Sequence, residues 1–322
     1  MKKELFLLFC QRIFLQFLIC FFVNFAQNFT ELLQTLTSFF REKRLTPVWS
    51  YNCKNTFWRL KTSEDGFIIG EDRNTEQKTA TFFCINASNG KILWENKSLE
   101  EKWWLSFEII HQGIILFHEY GSPDLPEPKK ILAVDVRTGK TLWTNPDVKL
   151  LFTFSGNVYV VKQGFANQFF EIDIVSGEVV RDLGFDSSYV ATLQGIAEEQ
   201  QVSSNIFLPE YIDKTIFFNE TEHQQMFKKI HSTNIVGLIE KFQSENFIAI
   251  SFYENIHRNP FENDLTQHLY IFKPERTDFQ IFYKEILINH ATTALTGAFF
   301  VLNNLLCFVK EKKTLSAISL ID

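Results

Sequence analysis

Residues 131–145 read ILAVDVRTGKTLWTN, and two further stretches align with them without gaps: 82–96, FFCINASNGKILWEN, and 169–183, FFEIDIVSGEVVRDL. Each is a strand, a tight turn and a strand. Thr138-Gly139, Asn89-Gly90 and Ser176-Gly177 supply the turns, where a residue without Cβ takes a positive φ at no steric cost. Apolar residues alternate on either side, as a half-buried hairpin requires. Asp135 and Asp173 stand just before their turns, where a short carboxylate accepts from turn N–H groups. That structural reading is preferred to an acid–base role. The turns recur at a spacing of roughly 40–50 residues, and strand–turn–strand content at that period points to the blades of a β-propeller.

The motif Ala133-Val-Asp135-Val-Arg-Thr138-Gly139-Lys140-Thr-Leu-Trp143 resembles the repeat of pyrroloquinoline-quinone-type, or quinoprotein-like, β-propellers, Ala-x-Asp-x-x-Thr-Gly-Lys-x-x-Trp. The 82–96 stretch keeps Gly90 and Trp94 but has Asn86 in place of Asp; the 169–183 stretch keeps Asp173 and Gly177 but ends in Val180. The resemblance implies that Trp49, Trp94 and Trp143 pack between neighbouring blades. The words Trp58-Arg59-Leu60, Glu100-Glu101-Lys102-Trp103-Trp104 and Asp124-Leu125-Pro126-Glu127 are similar to a family of such propellers with no assigned biochemical role.

The two ends complete the pattern. Residues 314–322 (TLSAISLID) read as the first half of a repeat, and 45–51 (LTPVWSY) as the missing second half. The expected fold is therefore all-β: a propeller of about six four-stranded blades, or seven, closed by pairing of its terminal strands, over residues 45–322. Weaker repeat endings near Phe227, after 215–219, and near Phe282 support that count.

Residues 1–44 form a separate extension. Lys2, Lys3 and Arg12 precede an apolar run at 13–23, the length of a signal-peptide core and short for a spanning helix. Membrane association through residues 5–26, or export, is one expectation; an amphipathic cap or an unstructured extension on a cytoplasmic protein is the other. Leu32, Leu33, Leu36, Phe39 and Phe40 then follow at helical spacing.

Composition excludes several functions. The net charge is −6, and no sustained basic stripe exists, so nucleic acid is not an expected partner. The 36 Phe suit half-buried pleated surface and strengthen the reading as strands. Cys10, Cys20, Cys53, Cys84 and Cys307 form neither a disulfide framework nor a zinc motif. No phosphate-binding loop, dinucleotide fingerprint or hydrolase motif occurs. Quinone enzymes with this repeat typically use eight blades and often adjacent cysteines, both missing here, so no quinone or other cofactor is expected.

The candidate site residues are few. Trp103 and Trp104 are expected to be buried at blade interfaces, but an exposed Trp anchors recognition, so both are candidates for binding. His111 and His118 bracket a strand without metal-ligand spacing; the plainer reading is a pair of edge histidines, with His118 a weak binding candidate. Residues 121–130 (GSPDLPEPKK) read as a stiff, proline-rich surface loop carrying Asp124 and Glu127. The functional expectation is a non-enzymatic scaffold with another protein as partner. The alternative is a small-ligand or enzymatic propeller with its site at the mouth of the central channel.

Overall fold

The computed structural model describes residues 45–321, apart from 64, 122–127, 201–205, 231, 233, 257–263 and 275–277. The extension read as a targeting segment lies outside the described residues, as do Asp124 and Glu127.

The described strands form five antiparallel sheets. A first short strand, β1 (Trp49–Asn52), is set aside for the last sheet. Blade 1 is β2 (Thr56–Thr62), β3 (Phe67–Asn74), β4 (Thr79–Asn86) and β5 (Ile92–Lys97). Blade 2 is β6 (Leu105–His111), β7 (Ile114–Tyr120), β8 (Pro128–Asp135) and β9 (Thr141–Asn145). Blade 3 is β10 (Lys149–Phe154), β11 (Asn157–Lys162), β12 (Gln168–Asp173) and β13 (Val179–Gly184).

Helix α1 (Ser187–Gln200) and strand β14 (Ile206–Phe207) follow, and then β15 (Glu210–Asp213). Two more helices, α2 (Lys214–Phe217) and α3 (Thr221–Ile230), precede the rest of blade 4: β16 (Ile235–Gln243), β17 (Ile248–Asn255), β18 (Leu265–Pro274) and β19 (Phe279–Ala291). Blade 5 is β20 (Phe299–Leu302), β21 (Leu305–Lys310) and β22 (Thr314–Ser319), completed on one edge by β1 and on the other by β14. In this last sheet Trp49 lies opposite Ala317 and Tyr51 opposite Leu315, so the two ends of the domain share one blade.

The period of two explains how the blades adhere. Phe67, Ile69, Phe82 and Cys84 of blade 1 meet Phe107, Ile115 and Phe117 of blade 2, while the intervening Ile68, Phe83 and Ile85 turn the other way onto Cys307, Leu315 and Ala317 of blade 5. Each such Phe or Ile contributes roughly 1.5–3 kcal/mol by leaving water.

Three junctions carry an additional fastening. Trp49 lies over Gly90, Trp94 over Gly139 and Trp143 over Gly177, each indole placed where a Cβ on the glycine would stand. The indole Nε1 groups donate to the carbonyls of Ala87 (2.6 Å), Val136 (2.7 Å) and Ile174 (2.9 Å). Ahead of the turns, Asp135 Oδ1 accepts from Thr138 N and Asp173 Oδ1 from Ser176 N, both at 2.7 Å.

Among the described residues the count of blades is five, not six or seven, and the reason lies between residues 185 and 234. Thr215–Asn219, expected to open a repeat ending near Phe227, is mostly helix α2, and Phe227 itself lies in α3. These helices cover sheet faces instead of adding a sheet. Val190 and Ala197 of α1 pack on Phe152, Tyr159, Val161 and Phe169, the side of blade 3 turned away from blade 2. Phe217, Met226 and Phe227 cover Ile248, Ile250 and Phe252, the side of blade 4 turned away from blade 5. No apolar cluster of described residues spans blades 3 and 4. Pairing of the terminal strands completes blade 5 without closing that junction.

Candidate functional site

Polar side chains collect where blade 1 meets blade 2, and two β-bulges aim them. On β2 the pairing with β3 skips from Phe57 to Arg59, which leaves Trp58 as the extra residue; on β6 the pairing with β7 skips from Phe107 to Ile109, which leaves Glu108. A bulge redirects the side chain it inserts. Trp58 is thereby turned outward, 56% exposed. Glu108 meets Arg59, whose Nη1 donates to Glu108 Oε1 at 2.9 Å, and Lys61 Nζ donates to the Glu108 carbonyl.

Beside this pair, Arg73 of β3 is held on all sides. Its guanidinium lies 5.2 Å from the Trp58 ring centre and 4.6 Å from that of Trp103, so the two indoles flank the cation. Nη2 donates to the Leu105 carbonyl at 2.8 Å, and Nε donates to Glu71 Oε1. Glu71 is fully buried and its Oε2 has no hydrogen-bond partner among the described residues. Burial pushes the Glu71 carboxyl up, against the opposing pull of Arg73.

Trp103 and Trp104 are not both buried. They lie in a bend ahead of β6, not in a strand, and Trp104 is 37% exposed while Trp103 is half-buried. Glu101 sets the bend: its Oε1 accepts from the backbone N of Lys102, Trp103 and Trp104 at 2.9–3.0 Å, and these bonds hold its carboxyl below the usual range.

His118 is not an edge residue. It is 4% exposed, its ring stands edge-on to Tyr120 with centres 4.6 Å apart, and Nε2 is 3.8 Å from Glu108 Oε1. Burial lowers its basicity, with Glu108 opposing. So enclosed, it meets no incoming molecule directly. The basic end of the expected 121–130 loop is strand: β8 begins at Pro128, and Lys130 Nζ pairs with Glu119 (2.8 Å) and Glu100 (3.2 Å). Among the described residues no group of His, Cys, Asp and Glu is placed to hold a metal ion, and no helix is long and apolar enough to cross a membrane.

Arg73, Glu71 and Glu108 carry no motif, and the sequence reading passed over them. Glu108 stands between Phe107 and Ile109, but Glu71 and Arg73 belong to the polar run Glu71-Asp72-Arg73-Asn74, which reads as a solvated strand end.

Five antiparallel sheets, four of whose junctions pack through alternating residues and the last of which joins the two ends of the domain, define a β-propeller. Residues 62–143, from the end of β2 to Trp143, match a family described as Domain of unknown function (DUF4905). No curated protein matches the chain. Similar solved structures include the β-propeller domain of the Trilobed protease from Pyrococcus furiosus, at 12% identity over 80% of this chain and 66% of that one, with a TM-score of 0.28. The uncharacterized protein lmo1340 from Listeria monocytogenes EGD-e matches at 10% identity over 81% of this chain and 94% of that one, TM-score 0.30. BamB from Moraxella catarrhalis matches at 11% identity over 85% and 97%, TM-score 0.17. This chain spans just under two thirds of the protease structure. At these identities and scores the matches carry no activity, substrate or partner across.

Proposed function

We propose that the chain is a non-enzymatic propeller of quinoprotein-type repeats that binds another protein through the face where blades 1 and 2 meet. The repeat assignment rests on the three Trp-on-Gly contacts. The binding assignment rests on one observation: the exposed Trp58 and the half-buried Trp103 are backed by the buried guanidinium of Arg73, with Trp104 exposed beside them. Trp dominates the energetics of many protein interfaces, and indoles already held by a buried cation lose little freedom when they are covered. The buried position of His118 supports binding over proton-transfer chemistry here.

The test is site-specific photocrosslinking from position 104 in cells, compared with position 175 on blade 3, followed by affinity measurement with the protein captured. Trp104→Ala is expected to weaken that complex at least tenfold with the melting curve unchanged. Equal capture from both positions, or an unchanged affinity, overturns the reading.

A further inference from the structure

A cavity of about 610 Å³ is lined by residues of blades 1, 4 and 5. Its size is that of a small-molecule site. One wall is strand β2. Another is the segment 295–298 ahead of β20, pinned by buried Glu240, whose carboxylate accepts from the backbone N of Gly297 and of Ala298. The third is a crossing segment: β14 hydrogen-bonds to blade 5 and β15 to blade 4, so the chain from Ile206 to Asp213 bridges the two blades, and Ile206 and Leu208 face the cavity.

The lining is chemically one-sided. Among the described residues it includes three cations, Arg59, Lys61 and Lys312, and no carboxylate. Its apolar part is left open to water: Leu208 is 68% exposed and Leu295 57%. Arg59 is neutralised from behind by Glu108. Lys61 Nζ donates to the Glu108 carbonyl, and burial depresses its basicity, with the Glu108 carboxylate opposing. An ammonium so placed gains from an anion that shares its enclosure.

We infer that this cavity binds an amphipathic organic anion, with a carboxylate or phosphate head at Lys61 and an apolar body against Leu208 and Leu295, Lys312 being a second cation of the lining. The site adjoins the aromatic face proposed for protein binding and shares Trp58 with it, whereas Trp104 belongs to that face alone.

Dodecanoate, dodecyl phosphate and dodecyltrimethylammonium, each below its micellar concentration, are titrated into the full chain by calorimetry. Either or both of the anions are expected to bind with one-to-one stoichiometry, and the cation at least tenfold more weakly. Lys61→Met and Leu208→Glu should each weaken anion binding at least tenfold. Lys312→Glu, at an exposed position, gives the same reading if Lys61→Met does not fold. Trp104→Ala should leave anion binding unchanged, which separates this outcome from failure of the protein-binding reading. Absence of binding by both anions, equal binding of the cation, or indifference to Leu208→Glu overturns the inference.

Discussion

The indole of Trp94 in blade 1 lies on Gly139 in blade 2, and a Cβ at residue 139 would stand 2.9 Å from the ring. The backbone of Gly139 is also left-handed, with φ at +67°. Gly139→Ala therefore meets two costs, about 1–2 kcal/mol for the backbone and about 1–3 kcal/mol for overpacking. Gly113 is a matched control, with φ at +75° and nothing within 4 Å of the added atom. Chemical denaturation should show Gly113→Ala losing only the backbone share and Gly139→Ala clearly more. Equal losses would mean that the indole moves aside freely.

Ser50 on β1 and Ser316 on β22 face each other, their hydroxyl oxygens 2.8 Å apart. Replacing both by Cys should give a disulfide that fastens the two ends of the domain. Closing a loop this long stabilises by up to about 5 kcal/mol in the chain-entropy account. Non-reducing peptide mapping should find the 50–316 link, with a raised melting midpoint. Deleting 315–322 should do the reverse and produce oligomers, because it leaves sheet edges unpaired. A truncated chain that melts like the full one refutes the shared blade.

Removing Arg73 strands Glu71 in a buried site. Arg73→Ala should cost about 3–5 kcal/mol, as expected when one partner of a buried ion pair is lost. Adding Glu71→Gln should recover part of that loss, since an amide is cheaper to bury than a carboxylate. Arg73→Lys should fall between, keeping the charge but not the planar stack between two indoles. If the double variant is no more stable than Arg73→Ala, the pair is not coupled.

Acid should act through His118. Its folded pKa is lowered by burial, so below about pH 6.5 the unfolded chain binds a proton that the folded chain resists. Stability from this residue is complete above that pH and falls as the pH drops through it. Glu71 and Glu240, both pushed up by burial, act in the opposite sense: stability falls with rising pH above the ordinary carboxylate range. The comparison must therefore be differential. His118→Gln should gain stability relative to the parent between pH 7 and pH 5 in parallel denaturation curves; a constant difference counts against a buried neutral imidazole.

Much of the architecture is written in short-range chemistry. A turn glycine, a carboxylate or amide before it and alternating apolar residues mark the outer hairpins of blades 1, 2 and 3, and the half-repeats at the two ends mark blade 5. Blade 4 lacks these marks. Phe247, Ala249 and Ile271 of its β-strands pack on blade 5 without a Trp or a turn glycine to announce them. The helices at 187–230 were legible only as a departure from the repeat, and their effect on blade number was not. At the candidate site, Trp103 and Trp104 were visible as residues, but their bend depends on Glu101, and the partnership of Trp58, Arg73 and Trp103 depends on a bulge in one strand. A bulge is set by pairing across the sheet, which a linear reading does not contain.

The junction between blades 3 and 4 gives the domain a preferred line of parting. Elsewhere, separating two blades strips apolar faces, and at three junctions it also lifts an indole off a glycine. Between blades 3 and 4 each sheet already has its own helical cover, so the two can draw apart with little newly wetted surface. Slow breathing of the domain is thereby concentrated along one seam and not shared evenly around the axis. The amides of the three helices should trade hydrogen for deuterium well ahead of the middle strands of the sheets.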